Sequence, residues 1–240
     1  MLSFMRCTRH GHCTKADLIY VILALAAITG ALLAAYIDPH WRWMHYFTKP
    51  TATAFLLYLV LSTSNPVSVP YRNAIAWGLA FAIGGDIFLM LPQDYFLAGL
   101  ICFLLTHCAY IYALTRDSRL AEKPLVFAGF AIVAFLIIIG LWQSLPAGMH
   151  IPVTIYAVIL AVMAAQALSR ALHLSSKSTT QSLLKPANVA ALGGIFFVIS
   201  DSILAYGRFR FDIPFNSLWV LGTYYTAQWC FARSVIRRVP

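Results

Sequence analysis

Charged residues are scarce in this 240-residue chain, where Asp, Glu, Lys and Arg together make up only 10% of the residues. Soluble globular domains carry about 25% charged residues, so this chain has too little polar surface to cover a water-soluble fold. Hydrophobic residues reach 61% and aromatic residues 14%. That composition also excludes intrinsic disorder, because disordered chains are rich in charge and poor in aromatic residues. The sequence therefore indicates an integral membrane protein.

The motifs of the common enzyme classes are also missing. The five cysteines include no C-x-x-C pair, and there is no G-x-S-x-G, H-E-x-x-H, phosphate-binding loop or dinucleotide fingerprint. Metal-ligand residue types do occur in the segment Cys7-x-x-His10-x-His12-Cys13. A short terminal peptide lacks the scaffold that structural zinc sites use, so we expect no metal site and no cofactor.

The net charge of +9 raises the possibility of a nucleic-acid partner. The 17 Lys and Arg residues are scattered, however, and form no basic stripe interleaved with base-stacking aromatic residues. We therefore expect no nucleic-acid partner.

Eight apolar runs, separated by polar or proline-containing joints, predict helices that cross a membrane. They cover residues 18–37, 50–63, 71–91, 95–115, 124–143, 151–170, 187–207 and 217–236. The second run is short, and its helix could begin nearer Tyr46. The sequence thus predicts an all-α, polytopic membrane protein with a single eight-helix transmembrane domain in residues 17–238. A basic cytoplasmic tail in residues 1–16 precedes this domain.

The basic residues predict the orientation of these helices. If the N-terminus is cytoplasmic, only four of the 17 Lys and Arg residues fall outside, namely Arg42, Lys49, Arg208 and Arg210. Cytoplasmic loops carry an excess of Lys and Arg, so this distribution predicts that both termini are cytoplasmic. We expect a multi-pass protein of the plasma membrane, which is the inner membrane in a bacterium.

Two of the eight acidic residues lie inside apolar runs. Asp86 lies in Ile83–Met90 and Asp201 lies in Phe196–Leu204. An ionised carboxylate at the centre of a membrane helix costs about 2.5–3.5 kcal/mol on insertion scales, so such residues are functional candidates. At about 1.5 Å per residue, Asp86 lies about 9 Å and Asp201 about 10 Å below the predicted outer boundary. The alternative is a structural acid that is protonated or bonded to a neighbouring hydroxyl.

Further polar residues fall at a similar or slightly greater depth, and we predict that they support catalysis or bind substrate. They are Lys49, His107, Tyr110, Tyr156, Tyr224, Tyr225 and Gln228. Each has a simpler explanation, since a Tyr can anchor a helix at the interface, a Lys can snorkel and a lone His can be a packing residue. Their common depth with two acids favours a shared cavity. One of two neighbouring buried carboxyls can stay protonated while the other is ionised, which separates acid and base roles.

Five short segments keep the order and spacing of a known family over roughly residues 46–236. They are Lys49-Pro50, Gly85-Asp86-Ile87-Phe88-Leu89-Met90, His107-x-x-Tyr110, Gly194-x-x-Phe197-x-x-Ser200-Asp201 and Tyr224-Tyr225-x-Ala227-Gln228. In these segments the chain resembles the YhhN-like lysoplasmalogenase family. The resemblance implies an eight-helix membrane hydrolase that cleaves the vinyl ether bond of lysoplasmalogens (1-alkenyl lysophospholipids). The products are a fatty aldehyde and a glycerophospho-head-group, and the family's two intramembrane aspartates correspond to Asp86 and Asp201.

The residues suit that reaction. Vinyl ether hydrolysis needs a proton delivered to the β-carbon and a water that captures the resulting oxocarbenium-like cation, much as two carboxyl groups achieve in glycoside hydrolysis. We expect the substrate to be a membrane lysophospholipid whose phosphate reaches Lys49 or outer Arg residues, in a site that opens toward the outer leaflet.

Two other functions compete with this one. An intramembrane aspartyl protease also uses two helix-borne acids, but its Tyr-Asp and Gly-x-Gly-Asp pattern is absent, since Asp201 follows Ser200 and Ile83 stands three residues before Asp86. A proton-coupled transporter of lipids or small molecules could use buried Asp and His as a proton relay. The sequence offers no pair of Gly- or Pro-broken helices of the kind that forms transport sites.

Overall fold

A computed structural model describes residues 15–176 and 181–237. Within these ranges the chain is helical, with no β-strand and eight α-helices. Their bounds are α1 Lys15–Tyr36, α2 Arg42–Leu61, α3 Val69–Met90, α4 Phe96–Leu114, α5 Pro124–Trp142, α6 His150–Ser176, α7 Gln181–Phe209 and α8 Asn216–Arg233. The predicted all-α, eight-helix architecture is confirmed. The Cys and His residues of the N-terminal tail lie outside the described residues.

The second helix differs from its predicted span. It begins at Arg42 rather than at residue 50, and Pro50 lies in its interior. Proline has no N–H group and normally breaks a helix, which is why the sequence suggested a start there. Hydroxyls on either side bond the helix backbone, since Thr48 donates to the Met44 carbonyl at 2.6 Å and Thr51 to the Phe47 carbonyl at 2.6 Å. These hydroxyls bond other carbonyls than that of Tyr46, which is the one that Pro50 leaves without its backbone donor. Membrane helices tolerate such an interior proline better than soluble ones do.

The two long helices also begin or end beyond their predicted spans. Helix α6 has 27 residues and continues to Ser176, and α7 has 29 residues and contains Pro186. At 1.5 Å per residue each is about 40 Å long, which exceeds the hydrocarbon thickness of about 30 Å. Both helices are therefore long enough to extend beyond the apolar layer.

Seven of the helices form a closed ring. Consecutive helices pack together from α1 to α4, α4 packs on α6, and α6, α7 and α8 follow in order until α8 returns to α1. Helix α5 lies outside this ring, where it packs on α6 and touches α7. Only 11% of the most apolar window of α5 is buried in the bundle.

Most of the outer surface is apolar. Six helices, α1 and α3 to α7, are long and apolar enough to cross a membrane by length and composition. The other two, α2 and α8, are more polar because they carry Lys49, Thr53, Tyr224 and Gln228. The chain thus forms a multi-pass membrane bundle whose two most polar helices, α2 and α8, flank α1 in the ring and also contact each other.

A close approach of α3 and α4 depends on glycine. A Cβ added at Gly85 would lie 2.5 Å from the Phe103 ring, so a larger residue would push α4 away from α3. Small residues allow such packing between membrane helices. The contact is next to Asp86, and it fixes the wall of the site described below.

Candidate active site

A polar cleft opens between α2, α3, α7 and α8. We define it by His45, Lys49, Asp86, Asp201, Asn216 and Tyr224, which are among the residues that line it. The space between its lining atoms, counted out to its open mouth, is about 650 Å³. The structure therefore brings the two predicted aspartates to the same cleft.

Asp86 is fully buried and makes three polar contacts. Its Oδ2 accepts hydrogen bonds from the Thr53 hydroxyl at 2.6 Å and the Tyr224 hydroxyl at 2.9 Å. Its Oδ1 lies 3.7 Å from Nζ of Lys49 and accepts no hydrogen bond from the described residues. Burying a carboxylate is tolerated only when charge and hydrogen bonds compensate it. Lys49 supplies the charge, and the two hydroxyls supply the hydrogen bonds.

Lys49 points into the cleft rather than out to its mouth. Its side chain is only 9% exposed, although it stands in the outer half of α2 by the predicted orientation. Lys49 and Thr53 are four residues apart on one helix face, so α2 presents both groups to the same carboxylate. This arrangement makes Asp86 the ionic partner of Lys49.

Asp201 has a separate set of partners on α4 and α6. Its Oδ2 accepts a hydrogen bond of 2.5 Å from the Tyr156 hydroxyl, and Nε2 of His107 lies 3.5 Å from the same oxygen. His107 and Tyr156 also bond each other at 2.9 Å. The side chain of Asp201 is 12% exposed, so it is the more accessible of the two acids.

His107 is held mainly by its neighbours' rings. The Phe197 ring meets it edge to face at 5.0 Å and the Tyr156 ring at 5.3 Å between centroids. Its Nδ1 is buried and has no hydrogen-bond partner among residues 15–176 and 181–237. The imidazole therefore acts on the cleft only through Nε2, which faces Tyr156 and Asp201.

A second network connects Asp86 to the centre of the bundle. Gln228 Nε2 donates to the Tyr224 hydroxyl at 3.2 Å, and the Tyr110 hydroxyl donates to Gln228 Oε1 at 2.6 Å. Phe197 lies between this network and that of Asp201, with its ring 5.8 Å from Tyr224 and 5.0 Å from His107. The two acids therefore have different polar supports, separated by an apolar ring.

The predicted supporting residues divide accordingly. Lys49, Tyr224, Gln228 and Tyr110 belong to the Asp86 side, while His107 and Tyr156 belong to the Asp201 side. Tyr225 belongs to neither. Its hydroxyl has no hydrogen-bond partner within the described chain, and its ring packs at 6.2 Å against Tyr20 of α1. Its ring also lies 5.3 Å from that of Tyr224, a hydrogen-bond partner of Asp86, so its expected role in the site stays a prediction.

Thr53 was not among the residues predicted for the site, yet its hydroxyl makes the shortest hydrogen bond to Asp86. A Thr in a helix usually bonds a carbonyl of its own preceding turn, so its hydroxyl gave no sign of a partner on another helix. Its position four residues after Lys49 was the available signal.

An apolar pocket adjoins the cleft on the other side of α7. We define it by Leu100, Phe130, Ala134, Leu160, Val198 and Asp201, which are among its lining residues. The space between its lining atoms, counted out to its open side, is about 710 Å³, and its lining includes few polar residues. Leu89, Phe103, Asp201 and Leu204 line both cavities, so Asp201 lies where the polar and apolar cavities meet.

Two carboxyl groups with different partners, one beside a cation and one beside an apolar cavity, suit acid–base chemistry on an amphiphile. Among the described residues no three His, Cys, Asp or Glu side chains are placed to hold a metal ion. What the site offers is carboxyl, hydroxyl, imidazole and ammonium groups.

Comparison with known proteins decides the family. The model of the YhhN family matches residues 44–235, which include every residue of the cleft. The chain belongs to the YhhN family. This confirms the resemblance seen in the short segments, and both aspartates and their partners lie within the matched residues.

Curated relatives carry a common name. Lysoplasmalogenase TMEM86A of Homo sapiens is 26% identical over 223 residues, covering 92% of this chain and 86% of the relative. Lysoplasmalogenase TMEM86B of Mus musculus is 28% identical over 219 residues, covering 82% of this chain and 87% of the relative. Lysoplasmalogenase TMEM86B of Rattus norvegicus is 29% identical over 169 residues. No solved structure matches the chain.

Proposed function

We propose that this protein is a membrane-embedded lysoplasmalogenase. It hydrolyses the vinyl ether bond of 1-alkenyl lysophospholipids and releases a fatty aldehyde and a glycerophospho-head-group. The relatives named above support the reaction. The observation that carries the mechanism is that Asp86 and Asp201 line one polar cleft, with Asp201 also lining the apolar pocket.

The surroundings of the two acids suggest different roles. Asp86 lies 3.7 Å from the Lys49 ammonium, which compensates a negative charge, so we assign Asp86 as the carboxylate. Asp201 has no Lys or Arg partner among the described ion pairs and adjoins the apolar pocket, so we assign it as the carboxylic acid. A donor and an acceptor are thereby present together at one pH.

The first step is proton transfer to carbon. Asp201 donates its proton to the β-carbon of the vinyl ether, the π electrons form the new C–H bond, and positive charge develops on the α-carbon and the ether oxygen. The Asp86 carboxylate lowers the energy of this oxocarbenium-like cation through its negative charge. Tyr156 and His107 hold Oδ2 of Asp201, and so direct its other oxygen toward the substrate.

Water then adds and the product is released. Asp86 takes a proton from a water molecule as its oxygen bonds the α-carbon, and the product is a hemiacetal. Asp86 returns that proton to the glycerol oxygen as the C–O bond breaks, while Asp201 takes the proton of the hemiacetal hydroxyl as the aldehyde forms. Each aspartate ends in its starting state, so the cycle needs no cofactor.

The reaction has a direct isotopic test. In D₂O, the mechanism places one deuterium on the carbon next to the aldehyde carbonyl, because the donated proton ends there. Purified protein in detergent is given a 1-alkenyl or a 1-acyl lysophospholipid, and the trapped aldehyde is analysed by mass spectrometry. Deuterated aldehyde from the alkenyl lipid alone supports the proposal. Substrate movement in proteoliposomes without aldehyde release would indicate a transporter instead.

The roles of the acids are tested with three matched substitutions. Asp86→Asn and Asp201→Asn should each lower turnover by about 10²-fold or more, the usual contribution of a positioned acid or base. Asp94→Asn is the control, because the Asp94 side chain is 69% exposed and bonds to the exposed Arg208 and to the Phe96 N–H at the start of α4. Wild-type turnover in a correctly folded Asp86→Asn or Asp201→Asn protein would remove the mechanism.

We also propose that all eight helices cross the membrane, that both termini are cytoplasmic, and that the cleft opens toward the outer leaflet. The excess of Lys and Arg in the predicted inner loops supports this orientation. Single cysteines introduced at Gln143 and Arg119, which are exposed in successive loops, test it in a background without native cysteines. An impermeant thiol reagent added to intact cells should label the Gln143→Cys protein and leave the Arg119→Cys protein unlabelled.

A further inference from the structure

The lining of the apolar pocket extends along the bundle for about the length of one lipid chain. Along α5 its lining runs from Phe130 to Leu141, which is about 16 Å at 1.5 Å per residue. Half of a hydrocarbon layer of about 30 Å is about 15 Å, and one chain of a phospholipid spans that half. The pocket is therefore as long as the chain of a single-chain lipid.

The pocket adjoins the polar cleft at the residue where the reacting bond is expected. Asp201 lines both the pocket and the polar cleft. In a lysoplasmalogen the vinyl ether joins the polar glycerol part to the hydrocarbon chain. A lipid whose vinyl ether lies at Asp201 therefore has its head-group side toward the polar cleft and its chain toward the apolar pocket.

The pocket is also accessible from the bilayer. Helices α4 and α5, both described throughout, contribute Leu100 and Phe130 to its walls, yet they share no close backbone contact. Val133 of α5 lines the pocket and is 40% exposed. A lipid chain can therefore enter sideways between these two helices.

We propose that the apolar pocket binds the hydrocarbon chain of the substrate, and that its lining residues set the enzyme's chain-length preference. This proposal rests on the proposed lysoplasmalogenase function. A chain gains little by leaving the bilayer for the protein, because lipid tails are as apolar as Leu side chains. Selection in the pocket therefore works by shape: a chain that overfills it is rejected, as added methylenes are in a packed core.

Two alanines on α5 provide a matched test. Ala134 is 6% exposed and lines the pocket, whereas Ala131 is exposed on the outer surface of the same helix. We compare kcat/KM for a long-chain and a short-chain 1-alkenyl lysophospholipid in both Ala→Phe variants. Ala134→Phe should lower the long-to-short ratio by about tenfold, the effect of overfilling a packed space. Ala131→Phe should leave the ratio as in the wild type.

A second variant changes the pocket in the other direction. Phe130 is half-buried at one end of the lining, so Phe130→Ala enlarges the pocket without a fully buried side chain being lost. Phe130→Ala should raise the ratio of kcat/KM for the long-chain substrate to that for the short-chain substrate. This variant keeps the proposal testable if Ala134→Phe does not fold. An unchanged ratio in both variants, in an enzyme that still releases aldehyde, would show that the chain lies in the bilayer and would overturn the proposal.

A binding measurement separates this proposal from the reaction itself. A 1-alkyl lysophospholipid has no vinyl ether and is not hydrolysed, so a photoreactive diazirine near the end of its chain reports chain position alone. Cross-links to pocket-lining residues of α5 and α6, reduced severalfold by Ala134→Phe and unaffected by Ala131→Phe, would support the chain site even if no aldehyde forms. Cross-links spread over the outer surface would refute it.

Discussion

The contact between Lys49 and Asp86 yields the sharpest prediction about stability. Lys49→Met removes the cation from a carboxylate that is fully buried, while the Lys49 side chain itself is only 9% exposed. At 3.7 Å and an effective dielectric constant of about 20, the attraction is about 4–5 kcal/mol. Breaking one side of such a pair costs about 3–5 kcal/mol, because the remaining charge is left buried without compensation.

A double-mutant cycle isolates this pair. The free energy of unfolding is measured for the wild type, Lys49→Met, Asp86→Asn and the double variant in mild detergent titrated with sodium dodecyl sulfate. The double variant should lose about 1–3 kcal/mol less stability than the two single losses added together. Lys185→Met, at an exposed position of α7, is the control and should stay within about 0.5 kcal/mol of the wild type. Additive losses would mean that the two side chains do not interact as the structure shows.

Three further predictions follow from the same contacts. Tyr156→Phe should lower aldehyde release at least about tenfold, because it removes the hydroxyl that donates to Asp201. Tyr225→Phe should not lower it, because the Tyr225 hydroxyl has no hydrogen-bond partner among the described residues. Gly78→Ala should destabilise by about 1–3 kcal/mol because its Cβ would overlap a buried ring; Gly129→Ala, facing open space, should not. Arg170→Met should lower the melting temperature, because it leaves the Asp117 carboxylate without its Arg170 partner. Turnover of the folded fraction should stay unchanged.

The fold was accessible from the sequence because a membrane places simple demands on a chain. Helices must be long and apolar and must satisfy their own backbone groups, so eight apolar runs marked eight helices. The predicted boundaries were wrong where proline misled them, since Pro50 and Pro186 both lie inside helices. A local sequence pattern marks a proline as the end of a helix. The free-energy cost of a proline inside a membrane helix depends instead on the groups packed around that helix, which a local pattern does not contain.

The two acids were also accessible from the sequence, for an energetic reason. A carboxylate in an apolar run is expensive, so Asp86 and Asp201 stood out without any knowledge of their neighbours. Their partners did not stand out in the same way. Thr53 was overlooked, although it makes the shortest hydrogen bond to Asp86. Tyr225 was expected in the site, and its role there stays a prediction, since its ring packs against both Tyr20 of α1 and Tyr224.

Composition and the placement of charge along the chain determined that this is a helical membrane bundle with two costly acids, because those properties depend on each residue's own transfer into hydrocarbon. The tertiary structure decided which helices face each other. It placed Lys49 beside Asp86 and Tyr156 beside Asp201, and it formed an apolar pocket next to Asp201. Such pairings depend on the rotation and packing of separate helices, which the transfer energy of single residues does not specify.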